Sequence, residues 1–361
     1  MVAYELSSLR AAIRGRSGRL IGGAVLAVVL VATATLSAAP AAAADDRGLV
    51  LPGGRVVPPL QTDGPLGSTI GLELYDRVRG EFVDWFATPP NGTNSTFRYN
   101  FLGNKFQLGL RAKRDPYEFF VQFQDTTVAN IPRHGVGFGA TYFANTRSTL
   151  QNGAILRNAW GSTRVLFGVP GLFIKAGRQL YSSAMEAPPK DPNLSWLQAN
   201  RLSQRLIGPF DWTHTGRSQD GGQVGYDAET WNATVFGFRP TEGGYEVDAN
   251  RELDVNLIGA VLSKKEVEWL GTTVGQLSYY YHDDFRGLVY VDNRPPAALA
   301  ADKGRSANVH TIGANLVHVL PLGAGEMDGL TYGYGQLGNW QSLTQRAWAY
   351  GVEAGYRLTG V

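Results

Sequence analysis

Between Leu72 and Phe86 the chain alternates apolar and polar residues with a period of two. Leu72, Leu74, Val78 and Phe82 fall on one side, interrupted by Asp76 and Gly80. Glu73, Tyr75, Arg77, Arg79 and Glu81 fall on the other. That period marks a strand with one apolar and one polar face. The pattern recurs: Phe106, Leu108, Leu110 and Ala112 oppose Lys105, Gln107, Arg111 and Lys113, and Phe119, Val121 and Phe123 oppose Glu118, Gln122 and Gln124. Near the end, Trp348, Tyr350, Val352, Ala354 and Tyr356 oppose Glu353 and Arg357. About twelve strands are predicted, at 68–86, 96–113, 117–126, 155–167, 171–181, 219–228, 231–239, 252–264, 273–285, 307–320, 329–341 and 345–358.

The connections alternate in length. Tight ones at 114–116, 168–171 and 227–230 contrast with long ones at 127–153, 182–218, 240–251 and 286–306, and 194–206 reads as a short helix. Short turns at one end and long loops at the other are the plan of an outer-membrane barrel. A compact soluble domain rarely tolerates so many long irregular loops. The aromatics Trp85, Phe86, Tyr117, Trp160, Trp231, Tyr279 to Tyr281 and Trp340 sit near predicted strand ends, where interfacial girdles belong. In a barrel the apolar faces meet lipid and the charged faces line a water-filled lumen. A β-sandwich with ordinary core aromatics is the alternative.

The amino terminus adds an address. Arg10, Arg14, Arg16 and Arg19 precede the apolar run at 20–37 and the Ala-rich stretch at 39–44. This order reads as a secretory signal peptide over 1–44, with a retained membrane helix as the alternative. The Pro- and Gly-rich residues 45–66 read as an extended leader, and 67–361 as the barrel domain. Removing the signal takes four basic residues and one acidic, leaving 29 basic and 30 acidic, so the formal net charge falls from +2 to −1. A basic nucleic-acid binder is excluded on that balance. The absence of Cys excludes an acylated lipoprotein and a disulfide-stapled domain.

One block is distinctive: Gly177, Arg178 and Gln179 end a strand, Arg205 to Pro209 with Asp211 and Trp212 follow, and Gly216, Arg217, Ser218, Asp220 and Gly221 open the next strand. With the alternation at 74–86 and the closing stretch at 310–358, it resembles the alginate-export family of bacterial outer-membrane β-barrels. The resemblance implies an all-β, antiparallel up-and-down transmembrane barrel of about eighteen strands. Twelve strands therefore predict an incomplete, open sheet with C-terminal strands missing. A smaller closed barrel is the competing arrangement. The segment at 180–204 departs from the family, which joins the two motifs with few residues. The final "YRLTGV" also lacks the aromatic end usual for such barrels.

The resemblance further implies passive passage of an anionic, alginate-like polysaccharide through a lumen lined by arginine and lysine, after export to the outer membrane. Residues of matching type are Arg77, Arg79, Arg111, Lys113, Arg157, Lys175, Arg178, Arg205, Arg217 and Arg239, with Glu73, Glu81, Asp220 and Glu353 holding the cations apart. Arginine suits the task because it stays charged and offers several donors to carboxylates. A general porin for small anions and a non-transporting surface protein are the alternatives. Enzyme readings are weak. His282, Asp283 and Asp284 are adjacent, but Asp283 must point away from the other two on a strand, and neither nucleophile elbow nor phosphate loop is present. The partners expected are an anionic polysaccharide or solute and outer-membrane lipid, with no cofactor, metal or nucleic acid.

Overall fold

A computed structural model describes residues 49–50, 56–57, 60–85, 96–268, 271–286 and 296–358. The expected signal peptide, half of the leader and Phe86 lie outside the described residues. Thirteen strands form one sheet in which each strand is hydrogen-bonded to its sequence neighbour. They are β1 (Leu60–Asp63), β2 (Thr69–Asp84), β3 (Arg98–Arg114), β4 (Tyr117–Ala129), β5 (Leu150–Leu166), β6 (Val169–Gln179) and β7 (Gln219–Asp227). β8 (Trp231–Pro240), β9 (Val255–Glu268), β10 (Thr272–Asp284), β11 (Ala307–Leu322), β12 (Gly325–Trp340) and β13 (Leu343–Leu358) complete it. All pairings are antiparallel, so the topology is up and down throughout.

The twelve predicted strands are β2 to β13. The thirteenth, β1, falls in the stretch expected to be an extended leader. Leu60 pairs with Leu72 and Asp63 with Thr69, closing a hairpin over the turn at Pro65–Gly67. The sheet is open: among the described residues, no ladder joins β1 or β2 to β13.

The faces follow from register, because residues paired across a ladder point to the same side. One face is apolar and bare. Phe82 is 86% exposed, Trp348 is 77% exposed, and Leu110, Phe119, Phe123, Leu277 and Ile312 are also exposed. A water-soluble protein avoids so large a continuous apolar surface. The other face is polar and covered by the long connections, so the core sits between that face and the loops.

Two connections supply most of the cover. α1 (Phe138–Thr146) buries Tyr142 against Phe101, Val128, Ile131 and Val247. The sequence gives little periodic signal there, and packing against other elements decides the conformation. α2 (Pro192–Leu197) continues as a π turn through Gln198–Leu202, which corrects the helix expected over 194–206 by moving it toward the amino end. Its start is built from Asp191, whose side chain accepts from the amides of Asn193 and Leu194, with Pro192 in the first turn. Leu194, Leu197 and Leu202 pack on Val274, Val317, Val319 and Leu330 of β10 to β12. Each buried Leu contributes roughly 1.5–3 kcal/mol, enough to hold the 180–204 segment against the sheet. α3 (Pro296–Ala301) was not signalled by its sequence.

Candidate functional site

The centre of the covered face is a charged cluster around Asp211, in the loop between α2 and β7. Arg157 Nη2 lies 2.5 Å from Asp211 Oδ1, and Lys105 Nζ lies 3.3 Å from the same oxygen. Arg77 donates to the carbonyls of Asp211 at 3.1 Å and Thr213 at 2.6 Å, while Arg79 donates to that of Trp212 at 2.7 Å. Four cations from three strands thus converge on three consecutive loop residues. Burial disfavours ionisation of Asp211, yet Arg157 and Lys105 hold its carboxyl below the usual carboxylate range.

Local sequence explains how the cluster closes. Gln122 pairs with Asn158 and Phe123 with Leu156, which leaves Arg157 as the extra residue of a β-bulge. A bulge puts two successive residues on one side. Arg157 and Asn158 are both buried on the covered face, and Arg157 has no exposed surface. Gly216 has φ +74°, and a Cβ there would collide with Asp211 and the Arg157 guanidinium. Gly103 lies beneath the His214 ring, in space a side chain would fill.

His214 is buried beside Phe101 and Tyr142. Burial, with Arg79, Arg77 and Lys105 nearby, pushes its imidazole down to about 3. Its Nε2 stands 3.3 Å from Glu81 Oε1, but a ring so depressed is neutral, and the contact is not an ion pair. Glu81 is instead the partner of Arg79. Gln124 donates to the carbonyl of Thr215 at 2.8 Å, and the amide of His214 donates to Tyr142 Oη at 3.2 Å. The loop is therefore held through its backbone from Asp211 to Thr215.

The remaining expected residues divide. Arg111 pairs with Glu73 at 2.8 Å and with Glu118, and stacks over Phe120. Lys175 lies over the Trp160 ring at 4.0 Å, and Lys113 is exposed at the short-turn end of the same face. Arg205 and Arg201 both reach Glu353 of β13. Arg217 lines a cavity under the same loop.

Arg178, Asp220 and Arg239 stand elsewhere. They occupy paired positions on β6, β7 and β8, on the side of the exposed Val224 and Val235. The expectation that they share the polar face is corrected. Gln179 and Gln219, one residue along, take the buried side, and a shift of one residue exchanges the faces. Arg178 and Asp220 make a bidentate pair at 2.6 and 2.5 Å, and Arg239 contacts Asn256 and Glu252. They form a polar row at the long-loop ends of the strands, beyond the apolar band.

The girdle expectation divides: some of its aromatics lie on the bare face and the others are corrected to the covered one. Tyr117, Trp231 and Tyr279 are exposed on the bare face. Trp160 meets Phe120 at a tilt on the covered face, Tyr280 is buried against Phe236, and Trp340 lines the cavity. Trp85 packs edge-on against Phe138 of α1.

Lys105, Asp211 and His214 were missing from the expected site. Lys105 was legible, since it shares the parity of Arg111. The roles of Asp211 and His214 depend on where the loop folds, which no strand periodicity encodes. His282 faces the cavity, Asp284 pairs with Arg286, and Asp283 bonds Asn308 on the other side. Among the described residues no group of three His, Asp or Glu side chains is placed to hold a metal.

An antiparallel up-and-down sheet with a bare apolar face and a charged, loop-filled face defines an outer-membrane β-barrel protein. The sequence profile described as "Alginate export" matches residues 76–361, and the chain belongs to the alginate-export family. On that ground it is an outer-membrane channel protein and not an enzyme. No curated protein sequence matches it significantly. Among solved structures it is similar to the high-pH structure of Pseudomonas putida OprB, with 14% identity, a TM-score of 0.39, and coverage of 74% of this chain and 70% of that one. It is also similar to Pseudomonas aeruginosa OccK9 (OpdG), with 10% identity, a TM-score of 0.46, and coverage of 80% and 64%.

Proposed function

We propose that the covered face lines a passage for an anionic polysaccharide, with alginate as the type of polymer, moving passively across the outer membrane. The observation that carries this reading is the Asp211 carboxylate, held by Arg157 and Lys105 with Arg77 beside it. The protein already binds one carboxylate at the centre of the face, and a polymer bearing repeated carboxylates can compete for the same cations. Lumen cations raise the local concentration of anions, and several weak sites in series let each group move on. Arg111, Lys113 and Lys175 extend the cationic track toward the short-turn end. Arg205 and Arg217 extend it toward the long-loop end. In the structure described, the loop from Arg205 to Ser218 occupies the centre of this track, so passage requires it to yield.

The test is the purified protein in a planar bilayer under a salt gradient. Discrete conductance steps with a reversal potential displaced toward that of the anion are expected. A protein that inserts without conducting overturns the channel reading, and one that conducts with cation preference overturns the lining.

A further inference from the structure

Beneath the loop, at the long-loop end of the strands, lies a cavity of about 320 Å³. Its walls come from the loop (Phe210, Arg217) and from the inward sides of β7 to β13. Arg217 differs from the other cations of this face. Arg77, Arg79, Lys105, Arg111, Arg157 and Arg205 each donate to a carboxylate or a backbone carbonyl. Among the described residues, the Arg217 side chain has no hydrogen bond, and its buried Nε lacks a partner. Its guanidinium lies 5.3 Å over the Phe210 ring, which contributes attraction but accepts no conventional hydrogen bond. Burial and the nearby charge of Arg286 both work against its ionisation, and only Glu246 opposes them. A buried N–H without an acceptor is costly unless something supplies one.

The rest of the cavity narrows the choice of acceptor. Arg286 is committed to Asp284 through Nε at 2.9 Å and Nη2 at 2.5 Å. The cavity therefore offers one guanidinium that no carboxylate hydrogen-bonds, with Glu246 acting on it only through space, and this suits a monocarboxylate more than a phosphate dianion. Trp340 and Tyr280 also line it, with flat rings of the kind that pack on the apolar face of a sugar ring. Gln345 donates to Gln336 and Gln336 donates to Thr311, a chain of amides and a hydroxyl with capacity left for ligand hydroxyls. The volume lies at the small end of ligand pockets, which run to roughly 300–1,000 Å³, and holds one ring, not a chain.

We propose that this cavity is a station for a single hexuronate unit, with its carboxylate on Arg217 and its ring against the aromatic lining. The proposal rests on the anionic-polysaccharide reading and adds to it a discrete site away from the Asp211 cluster. The terminal or protruding unit of a polymer would dock here while the track carries the rest.

Isothermal titration of the detergent-purified full chain with sodium glucuronate, glucose and sodium acetate tests it. Saturable binding of glucuronate is expected, with glucose and acetate at least tenfold weaker. Arg217→Gln should weaken glucuronate at least tenfold. Gln345→Trp, which adds bulk at another lining position and leaves Arg217 in place, should abolish binding, and it decides the matter if the first variant does not fold. No glucuronate binding, equal binding of acetate, or unchanged binding by either folded variant overturns the station. Bilayer conductance of the unmodified protein separates the two readings. Conductance without glucuronate binding removes the station alone, whereas binding without conductance removes the channel.

Discussion

Arg157, which has no exposed surface, meets the Asp211 carboxylate at 2.5 Å, and the pair joins the fifth strand to the loop that covers the sheet. Removing one partner of a buried pair leaves the other charge uncompensated, at a cost of about 3–5 kcal/mol. Asp211→Asn should therefore release the loop while leaving the sheet intact. Limited proteolysis should cut between Arg205 and Ser218 far faster than in the unmodified protein. Heat-modifiable migration on a gel should be unchanged, and equal cleavage rates would contradict the role given to the pair.

Gly103 tests the same loop from below. A side chain there must occupy the space of the His214 ring. Gly103→Val should expose residues 211–215 to hydrogen exchange, with a more than tenfold gain in rate. Exchange within β3 itself should stay near that of the unmodified protein.

Acid should loosen the loop by a second route. Folded His214 is held down to about 3 from the ordinary 6.5, so the unfolded or released segment takes up a proton that the docked one refuses. Its contribution to docking is full above pH 6.5 and is lost progressively as pH falls toward 3. Glu81, Arg77, Arg79 and Lys105 surround the ring, and the three cations are the groups that forbid its charge. Asp211, held below its ordinary 3.8, loses its contribution only further down. Protease sensitivity of 205–218 should rise between pH 6.5 and 4, and His214→Gln should flatten the profile over that window.

The two faces can be read separately by cysteine chemistry, because the chain contains no Cys. Gln107 and Leu108 are neighbours in the middle of β3 on opposite faces, and Leu108 is exposed on the bare one. In vesicles, Gln107→Cys should react with a hydrophilic maleimide, and Leu108→Cys only with a lipid-soluble one. Leu277→Arg, on the same bare face in the middle of β10, should lower folding stability in lipid by about 2–4 kcal/mol, measurable by urea titration.

Most of the sheet was legible because the strand period is strict and both faces carry a signal. Leu108, Leu110, Phe119 and Phe123 marked the bare face, and Arg77, Arg79 and Arg111 the covered one. Parity failed where the strand ends. Arg178 and Asp220 sit one residue from the buried Gln179 and Gln219, and no local composition says which of two adjacent polar residues turns inward. Arg157 reached the covered face through a bulge that period-two reading cannot see. The loop was harder still. Its helix announces itself through Asp191 and Pro192, but its place on the sheet depends on Leu194, Leu197 and Leu202 finding Val274, Val317 and Leu330, contacts far apart in sequence.

The central claim, that the cations of the covered face carry an anionic polymer past the loop, is tested most directly by polymer flux. Vesicles holding the protein would be loaded with a fluorescent oligouronate and, separately, a neutral dextran of equal length. Release of the oligouronate should exceed that of the dextran at least tenfold, and Arg77→Gln with Arg79→Gln should remove most of that preference. Equal release of both polymers, or an undiminished preference in the double variant, would contradict the account.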